Sequence, residues 1–473
     1  MSTPLDLMIA HNSPPLPCPP PAPRRALALA ILLLLATGTG NYATAASTEY
    51  LTSEEPVADS VEDAPQPMTE TFKKEEKEPP LFPGMTDRLR DKTPFVRDTK
   101  LRANVRTYYM DTNRETSRDS EAWALGGTLI NYQSGLWKER LQVGGVLYTT
   151  QPVYAPENKG GTLLLGPDQE GFTVLGEAFV SIKATEHTLV KLGRQAFKAP
   201  YVNKNDSRMI PNTFEAYGFE RQHNEDLGFG AYHITRIKTR NSDTFVPMSE
   251  AAGFPDTDEP LTSGGFRYTP SEGTDIGFVN HYSWNYMNTF YAEATSTFDV
   301  GEQWGLRASA QYTDQRSVGD EIGGDFRTWV YGLKLGASYR GAGLYAAWTS
   351  TSENQRIRNP YGGYPGYISL MLRNFNRAGE DAWLVGLSFT FWRLGVPQLS
   401  AIVNYARGNT PDSGSATSPD QEELNITLDY RFQTGLVRGL WIRARHAILN
   451  ETGVGAEDIT ENRIIINYPI QIF

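Results

Sequence analysis

From Leu101 to the last residue, segments of about 8 to 13 residues repeat one pattern, apolar and polar positions alternating until Gly, Pro, Asn or Asp ends the run. Period-two alternation sends successive side chains to opposite faces of a strand, so each segment predicts a strand with one apolar and one polar face. Leu399, Ala401, Val403 and Tyr405 share a face against Ser400, Asn404 and Ala406, and Leu424, Ile426, Leu428 and Tyr430 oppose Asn425, Thr427, Asp429 and Arg431. Eighteen such segments begin, in chain order, near Leu101, Trp123, Leu141, Glu177, Leu189, Phe214, Leu227, Gly265, Ile276, Phe290, Trp304, Arg327, Leu344, Trp383, Leu399, Leu424, Leu440 and Arg463.

Their connections are expected to alternate strictly in length. Short turns are predicted at 134–139, 184–187, 222–226, 270–274, 299–303, 340–343, 393–397 and 433–439, and the largest polar loops at 150–176, 238–263 and 350–381. An even strand number with tight turns at one end and long loops at the other is the outer-membrane arrangement, turns periplasmic and loops external. The predicted fold is therefore all-β: a transmembrane antiparallel β-barrel of 18 strands over residues 95–473, closed because open strand edges do not survive in lipid. A soluble sandwich or propeller has no reason to keep the alternation. Barrels of this size leave an aqueous lumen, which makes the expected protein a channel. A plugged transporter would need a globular domain ahead of the barrel.

The N-terminal part reads differently. Arg24 and Arg25, the apolar run Ala26 to Ala36 and the small-residue stretch Ala43 to Ala46 have the three-part form of a secretory signal peptide, placed at 1–46. The run is too short for a membrane anchor, which needs about 20 apolar residues. Its Pro-rich beginning is unusual for a signal and makes Met8 or a later position a candidate start. Residues 47–94, with Glu54, Glu55, Asp59, Glu62, Asp63 and the run Lys73 to Glu78, are too polar to bury a core and are expected to be a disordered acidic periplasmic tether, or a binding arm for another envelope component.

Composition narrows the function. A net charge of −11 argues against nucleic-acid binding, and the single Cys18 excludes a disulfide scaffold. With 43 Gly, 24 Tyr and 9 Trp, the chain has the turn-formers and amphipathic aromatics of a membrane barrel. The polar strand faces carry Arg102, Arg106, Lys183, Lys191, Arg307, Lys334, Arg340, Arg431, Arg443, Arg445 and Arg463 against Glu177, Glu293 and Asp429, so a cationic wall is predicted within an acidic protein. Such a lumen would favour small solutes bearing a carboxylate, anionic or zwitterionic. Arg443 and Arg445 lie on one face about 7 Å apart, and Arg102 and Arg106 fall on the first strand, which neighbours the last in a closed barrel. Successive guanidinium groups can pass a carboxylate along through bidentate forks, unless carboxylates from the loops occupy them. Asp206 and Arg208, in the loop 196–213, are candidates to anchor an inward-folded constriction or to present charge there. The stretch Asn359 to Tyr367 suits either a lumen-facing fold or a plain surface turn.

Taken together, Lys191-Leu-Gly-Arg-Gln195 followed by Asn205-Asp-Ser-Arg208 and Pro211-Asn-Thr-Phe214, Tyr364-Pro-Gly-Tyr-Ile-Ser-Leu370 with Phe375-Asn-Arg-Ala378, and Gly439-Leu-Trp-Ile-Arg-Ala-Arg445 resemble the OprD-type substrate-specific outer-membrane porins of pseudomonads, over about residues 95–473. The resemblance implies an 18-stranded pore, a third external loop folded inward as constriction, and a basic ladder guiding small carboxylates such as amino acids, peptides and organic acids. It matches Arg443 and Arg445 to ladder positions and puts Asp206 and Arg208 in the constriction loop. Strand sixteen departs from that pattern, offering Asn425 and Thr427 where more basic residues are expected, and the long acidic tether is a second departure.

Catalysis is not expected. His187, His223, His233, His281 and His446 follow the signal, but no GxSxG, HExxH or glycine-rich phosphate loop accompanies them, and neither cofactor nor metal is implied. The remaining alternatives are a general or sugar-selective porin, which would show a spiral of inward aromatics, and an adhesive or structural barrel working through its loops. Expected partners are the lipid and lipopolysaccharide of a Gram-negative outer membrane and, from the terminal Phe473, the barrel assembly machinery. The protein is expected to be a monomer or trimer.

Overall fold

The computed structural model describes residues 81–473 except 225, 302 and 436. The predicted signal peptide and the tether up to residue 80 lie outside the described residues. Eighteen long strands form one antiparallel sheet. They are β1 (Lys100–Arg114), β2 (Ser120–Gln133), β3 (Leu141–Tyr154), β4 (Phe172–Thr185), β5 (Thr188–Gln195) and β6 (Thr213–Gln222). Then come β7 (Leu227–Lys238), β8 (Leu261–Ser271), β9 (Thr274–Ser283), β10 (Met287–Val300), β11 (Trp304–Ser317) and β12 (Arg327–Tyr339). The set ends with β13 (Ala342–Thr351), β14 (Asp381–Thr390), β15 (Leu399–Asn409), β16 (Asp420–Arg431), β17 (Trp441–Thr452) and β18 (Ile459–Gln471). Every strand pairs with its sequence neighbours, and β1 pairs with β18 from Arg102 opposite Gln471 to Arg114 opposite Ile459, which closes the barrel. The predicted set of segments and their order hold throughout.

The strict length alternation does not hold. The external connections 115–119 and 284–286 are shorter than the periplasmic connections 391–398 and 432–440. The longest external connections are 155–171, 196–212, 239–260 and 352–380.

The faces divide as the alternation requires. Outward positions such as Leu333, Leu335, Leu344 and Leu387 are more than half exposed, as residues facing acyl chains must be in a chain stripped of its bilayer. Aromatic pairs ring both ends: Trp304 stacks on Tyr339 with centroids 4.5 Å apart at the turn end, and Trp329 on Tyr331 at 5.3 Å toward the loop end. Inward positions pack against loops instead, and their clusters join Tyr108, Met110 and Tyr148 to Met209 and Ile210, and Tyr345 and Leu384 to Ile368 and Phe375.

Residues 81–94, assigned above to the tether, are folded against the barrel. They hold a helix, Pro83–Leu89, followed by a helical turn at Pro94–Arg97. Pairing of β18 with β17 stops at Asn467, leaving the far end of β18 as an edge. The Leu81 and Phe82 amides donate to the carbonyls of Gln471 (2.8 Å) and Ile472 (3.1 Å) on that stretch. Their side chains cover Ala103, Ile470 and Ile472. Apolar residues at 81 and 82, missed by the compositional reading, thus form a strap across the seam.

Candidate functional site

Two loops fill the middle of the lumen. The third external loop, 196–212, is launched by β5, where Gly193 sits at φ +109 and a Cβ would lie 2.4 Å from the Ala178 carbonyl oxygen, so the sharp exit needs glycine. Wall residues hold it on several sides. Arg106 forks onto Asp206 at 2.7 and 3.3 Å and also donates to the Arg208 carbonyl. The Tyr201 hydroxyl meets Thr313 Oγ1 at 2.9 Å, and His281 Nε2 donates to the Pro200 carbonyl at 2.7 Å. The seventh loop, 352–380, enters from the opposite side. Its Tyr361 hydroxyl meets Ser283 Oγ at 2.7 Å, and Tyr367 donates to Glu293 at 2.9 Å. The stretch Asn359 to Tyr367 is therefore lumen-facing, not a surface turn.

The two loops are clasped to each other. The Asn203 side chain accepts from the Gly363 amide at 2.7 Å and donates to the Gly363 carbonyl at 3.1 Å. The approach is close enough that a Cβ on Gly362 would sit 2.7 Å from Asn203 backbone nitrogen.

The predicted basic residues separate into three settings. Arg106, Arg445 and Arg463 form a file on adjoining strands: Arg463 is directly opposite Arg445, and Asn467, four residues on along the same face, opposes Arg106 and accepts from it at 2.7 Å. Arg208 extends the file inward, its Nε donating to the Thr162 carbonyl at 2.9 Å. Arg240, which the alternation could not reveal because it lies in a loop, binds the Asn205 and Ser207 side chains behind the constriction. Desolvation, with repulsion from Arg208 and Arg463, pulls the Arg240 guanidinium down to about 9, still protonated at neutral pH. Arg208 is lowered by burial and by repulsion from Arg463.

Arg443 does not extend the file as an isolated charge. It is paired with Asp429 at 2.9 Å, both side chains buried, and it stacks on Trp441 at 4.5 Å. Arg102 is apart from the others at the periplasmic rim, donating to Gln471 at 3.1 Å. Of Arg102, Arg106, Arg443 and Arg445, expected to line one sector, Arg102 stands at the rim and Arg443 is paired with Asp429, while Arg106 and Arg445 stand on the two strands that flank β18, which carries Arg463.

Arg307 and Lys334 occupy a different wall. They line a periplasmic-side cavity with about 1740 Å³ of open space, roofed by Phe197 and Pro200 of the third loop and Pro365 and Tyr367 of the seventh. Lys334 Nζ lies 5.4 Å from the Tyr345 ring and 5.9 Å from that of Tyr367.

The lumen also holds more acid than the three carboxylates counted from sequence. Glu423 is buried on β16 and accepts from the Leu372 and Arg373 amides at 2.9 Å each, while Asn425 accepts from the Met371 amide at 3.0 Å. Glu461 binds Arg463 at 2.6 Å, and Arg463 reaches on to the Met371 carbonyl at 3.1 Å. On strand sixteen, Glu423 and Asn425 hold the seventh loop in place where additional ladder cations were expected.

An apolar, aromatic-girdled exterior around an aqueous lumen narrowed by inward loops defines a transmembrane channel of the outer-membrane type. The chain belongs to the outer membrane porin, OprD family, whose model matches residues 93–472. It is 23% identical to Porin D of Pseudomonas aeruginosa over 416 residues, covering 80% of this chain and 92% of that one. Among solved structures, it is similar to P. aeruginosa OccK9 (OpdG), with a TM-score of 0.72 and 21% identity over 80% of this chain and 100% of that one. It is similar also to P. aeruginosa OpdK with vanillate, with a TM-score of 0.71 and 19% identity over 80% and 99%. These relatives are porins, channels and not enzymes, and the protein is an outer-membrane porin.

Proposed function

We propose that this porin gives passive, partly selective passage to small carboxylate-bearing solutes, with the file of Arg106, Arg208, Arg240, Arg445 and Arg463 as the path of the carboxylate. The observation that carries the reading is the convergence of these five guanidinium groups, from three strands and two loops, on one side of the constriction. A carboxylate leaving one fork finds the next within reach, so it is never transferred to bare low-dielectric wall. Arg307 and Lys334 receive it in the cavity below, where solvent is plentiful and binding is weak enough to release. OpdK was solved with vanillate, a carboxylate, which is consistent with this solute class. Asp206 serves as an anchor, and Arg208 both anchors and presents charge. The barrel assembly machinery inserts the chain through its C-terminal strand, and the 47–80 segment is a periplasmic tether.

The reversal potential of the refolded protein in a planar bilayer under a KCl gradient tests the reading. Arg445→Ala is expected to lower anion preference clearly and to weaken block by added benzoate several-fold, with conductance retained. Unchanged selectivity and unchanged block would remove the file from the mechanism while leaving a porin.

A further inference from the structure

The lipid-facing wall carries charges that the solute path does not use. On β11 and β12 the outward positions run from Trp304 and Tyr339 at the periplasmic girdle to Arg316 and Arg327, which are directly opposite each other. Both guanidinium groups bind the same carboxylate: Arg316 to Asp314 at 2.8 Å and Arg327 to Asp314 at 3.0 Å. Asp314 is only 5% exposed, whereas Arg316 and Arg327 are 52% and 63% exposed. Two cations thus share one buried anion through their Nε and Nη2 sides, leaving a net positive charge on guanidinium groups that remain more than half exposed. Elsewhere on the same face, Glu121 takes Lys159 at 2.8 Å, Arg194 takes Glu215 at 2.9 Å, and Arg407 stands opposite Glu422. The loop carboxylates Glu321 and Asp325 accept from Ser317, whose side chain belongs to the lumen face.

Height identifies the level. Twelve steps of about 3.3 Å, tilted by about 40°, put the pair roughly 30 Å above the periplasmic girdle, just beyond an apolar band about 25 Å tall. Below it, Tyr331 stacks on Trp329, and Leu333 and Leu335 are 53% and 65% exposed. An occupant must therefore be amphipathic, with an anionic group at the rim and acyl chains running down the wall.

We infer that Arg316 and Arg327, fixed side by side by Asp314, form a binding site for the phosphate of an outer-leaflet lipid, the lipid A part of lipopolysaccharide. Two guanidinium forks on a rigid sheet suit a tetrahedral phosphate, because their ordering is already complete before binding. Asp314 keeps them from repelling apart without neutralising both.

Native mass spectrometry of the refolded full chain in detergent, titrated with bis-phosphorylated lipid A, tests the site. Arg316→Ala combined with Arg327→Ala is expected to weaken lipid A binding about tenfold. Fully dephosphorylated lipid A is expected to bind the unaltered protein as weakly as lipid A binds the double variant. Arg316→Lys with Arg327→Lys, which keeps charge and folding but not the forks, is expected to fall between. Equal lipid A affinity in the unaltered protein and the double alanine variant, both heat-modifiable on gels, would overturn the site. Displacement of lipid A by millimolar inorganic phosphate would overturn the assignment to a lipid, since an ion without acyl chains should not compete.

Discussion

The wall formed by β16, β17, β18 and β1 and the wall formed by β11 and β12 are both basic on their lumen faces, yet their charges serve different ends. On the first wall, Arg106 is tied to Asp206, Arg443 to Asp429 and Arg463 to Glu461 and a loop carbonyl, so most of the guanidinium groups also hold a piece of structure. On the second, Arg307 is exposed and Lys334 lies over the Tyr345 and Tyr367 rings at the cavity wall, at 5.4 and 5.9 Å. The same residue types are fixed parts of a constriction on one side and solvated charges on the other. Side-chain identity alone does not separate these roles; partners do.

The comparison breaks most visibly at Arg106. Arg106→Ala removes the fork on Asp206 and the donor to the Arg208 carbonyl, leaving a carboxylate about one-third exposed without its counter-ion. A cost of about 2 kcal/mol, below the usual cost of breaking a fully buried pair, is expected, with release of the third loop from the wall. Single-channel recordings should then show larger and noisier conductance, and unfolding by guanidinium should shift to lower concentration. A unitary conductance matching that of the unaltered protein would mean that the loop is held without Arg106.

A smaller effect is expected from Arg307→Ala combined with Lys334→Ala. Charges in a wide, solvated cavity act through a high dielectric and are screened by salt. Anion preference should fall modestly at low ionic strength and recover toward the unaltered value at high ionic strength. A loss that persists in strong salt would place these two residues in the constriction and not below it.

The smallest change should follow from removing a pair as a pair. Arg443→Gln with Asp429→Asn takes away one positive and one negative charge that already neutralise each other, and the reversal potential should remain close to that of the unaltered protein. If it moves as far as in Arg445→Ala, Arg443 acts as a free ladder charge despite Asp429.

The sequence made the barrel legible and the constriction only partly so. Alternation survives in strands because the two sides of the wall differ in solvent, and it marked Arg106, Arg307, Lys334, Arg443, Arg445 and Arg463 as inward. It cannot report what an inward residue binds across the lumen: Asp429 was visible as an acid two residues before Arg431, but its bond to Arg443 follows from the β16–β17 register. Glu461 lies on the same face as Arg463 and was available to the pattern once β18 was started earlier than Arg463. Arg240 and the clasp of Asn203 on Gly363 are loop features, and no periodicity reaches them. The seventh loop carried a usable signal in its glycines, since Gly362 marks a backbone approach that no side chain would permit.

The strap at Leu81 and Phe82 also sets an order of events. Its partners, Gln471 and Ile472, are nearly the whole barrel away in sequence. Such contacts carry the largest loop-closure cost and form late. The seam can therefore be fastened only after both ends of the barrel chain have arrived at the same rim, so the strap works as a mark of completion, separating a finished cylinder from one still short of its final strand.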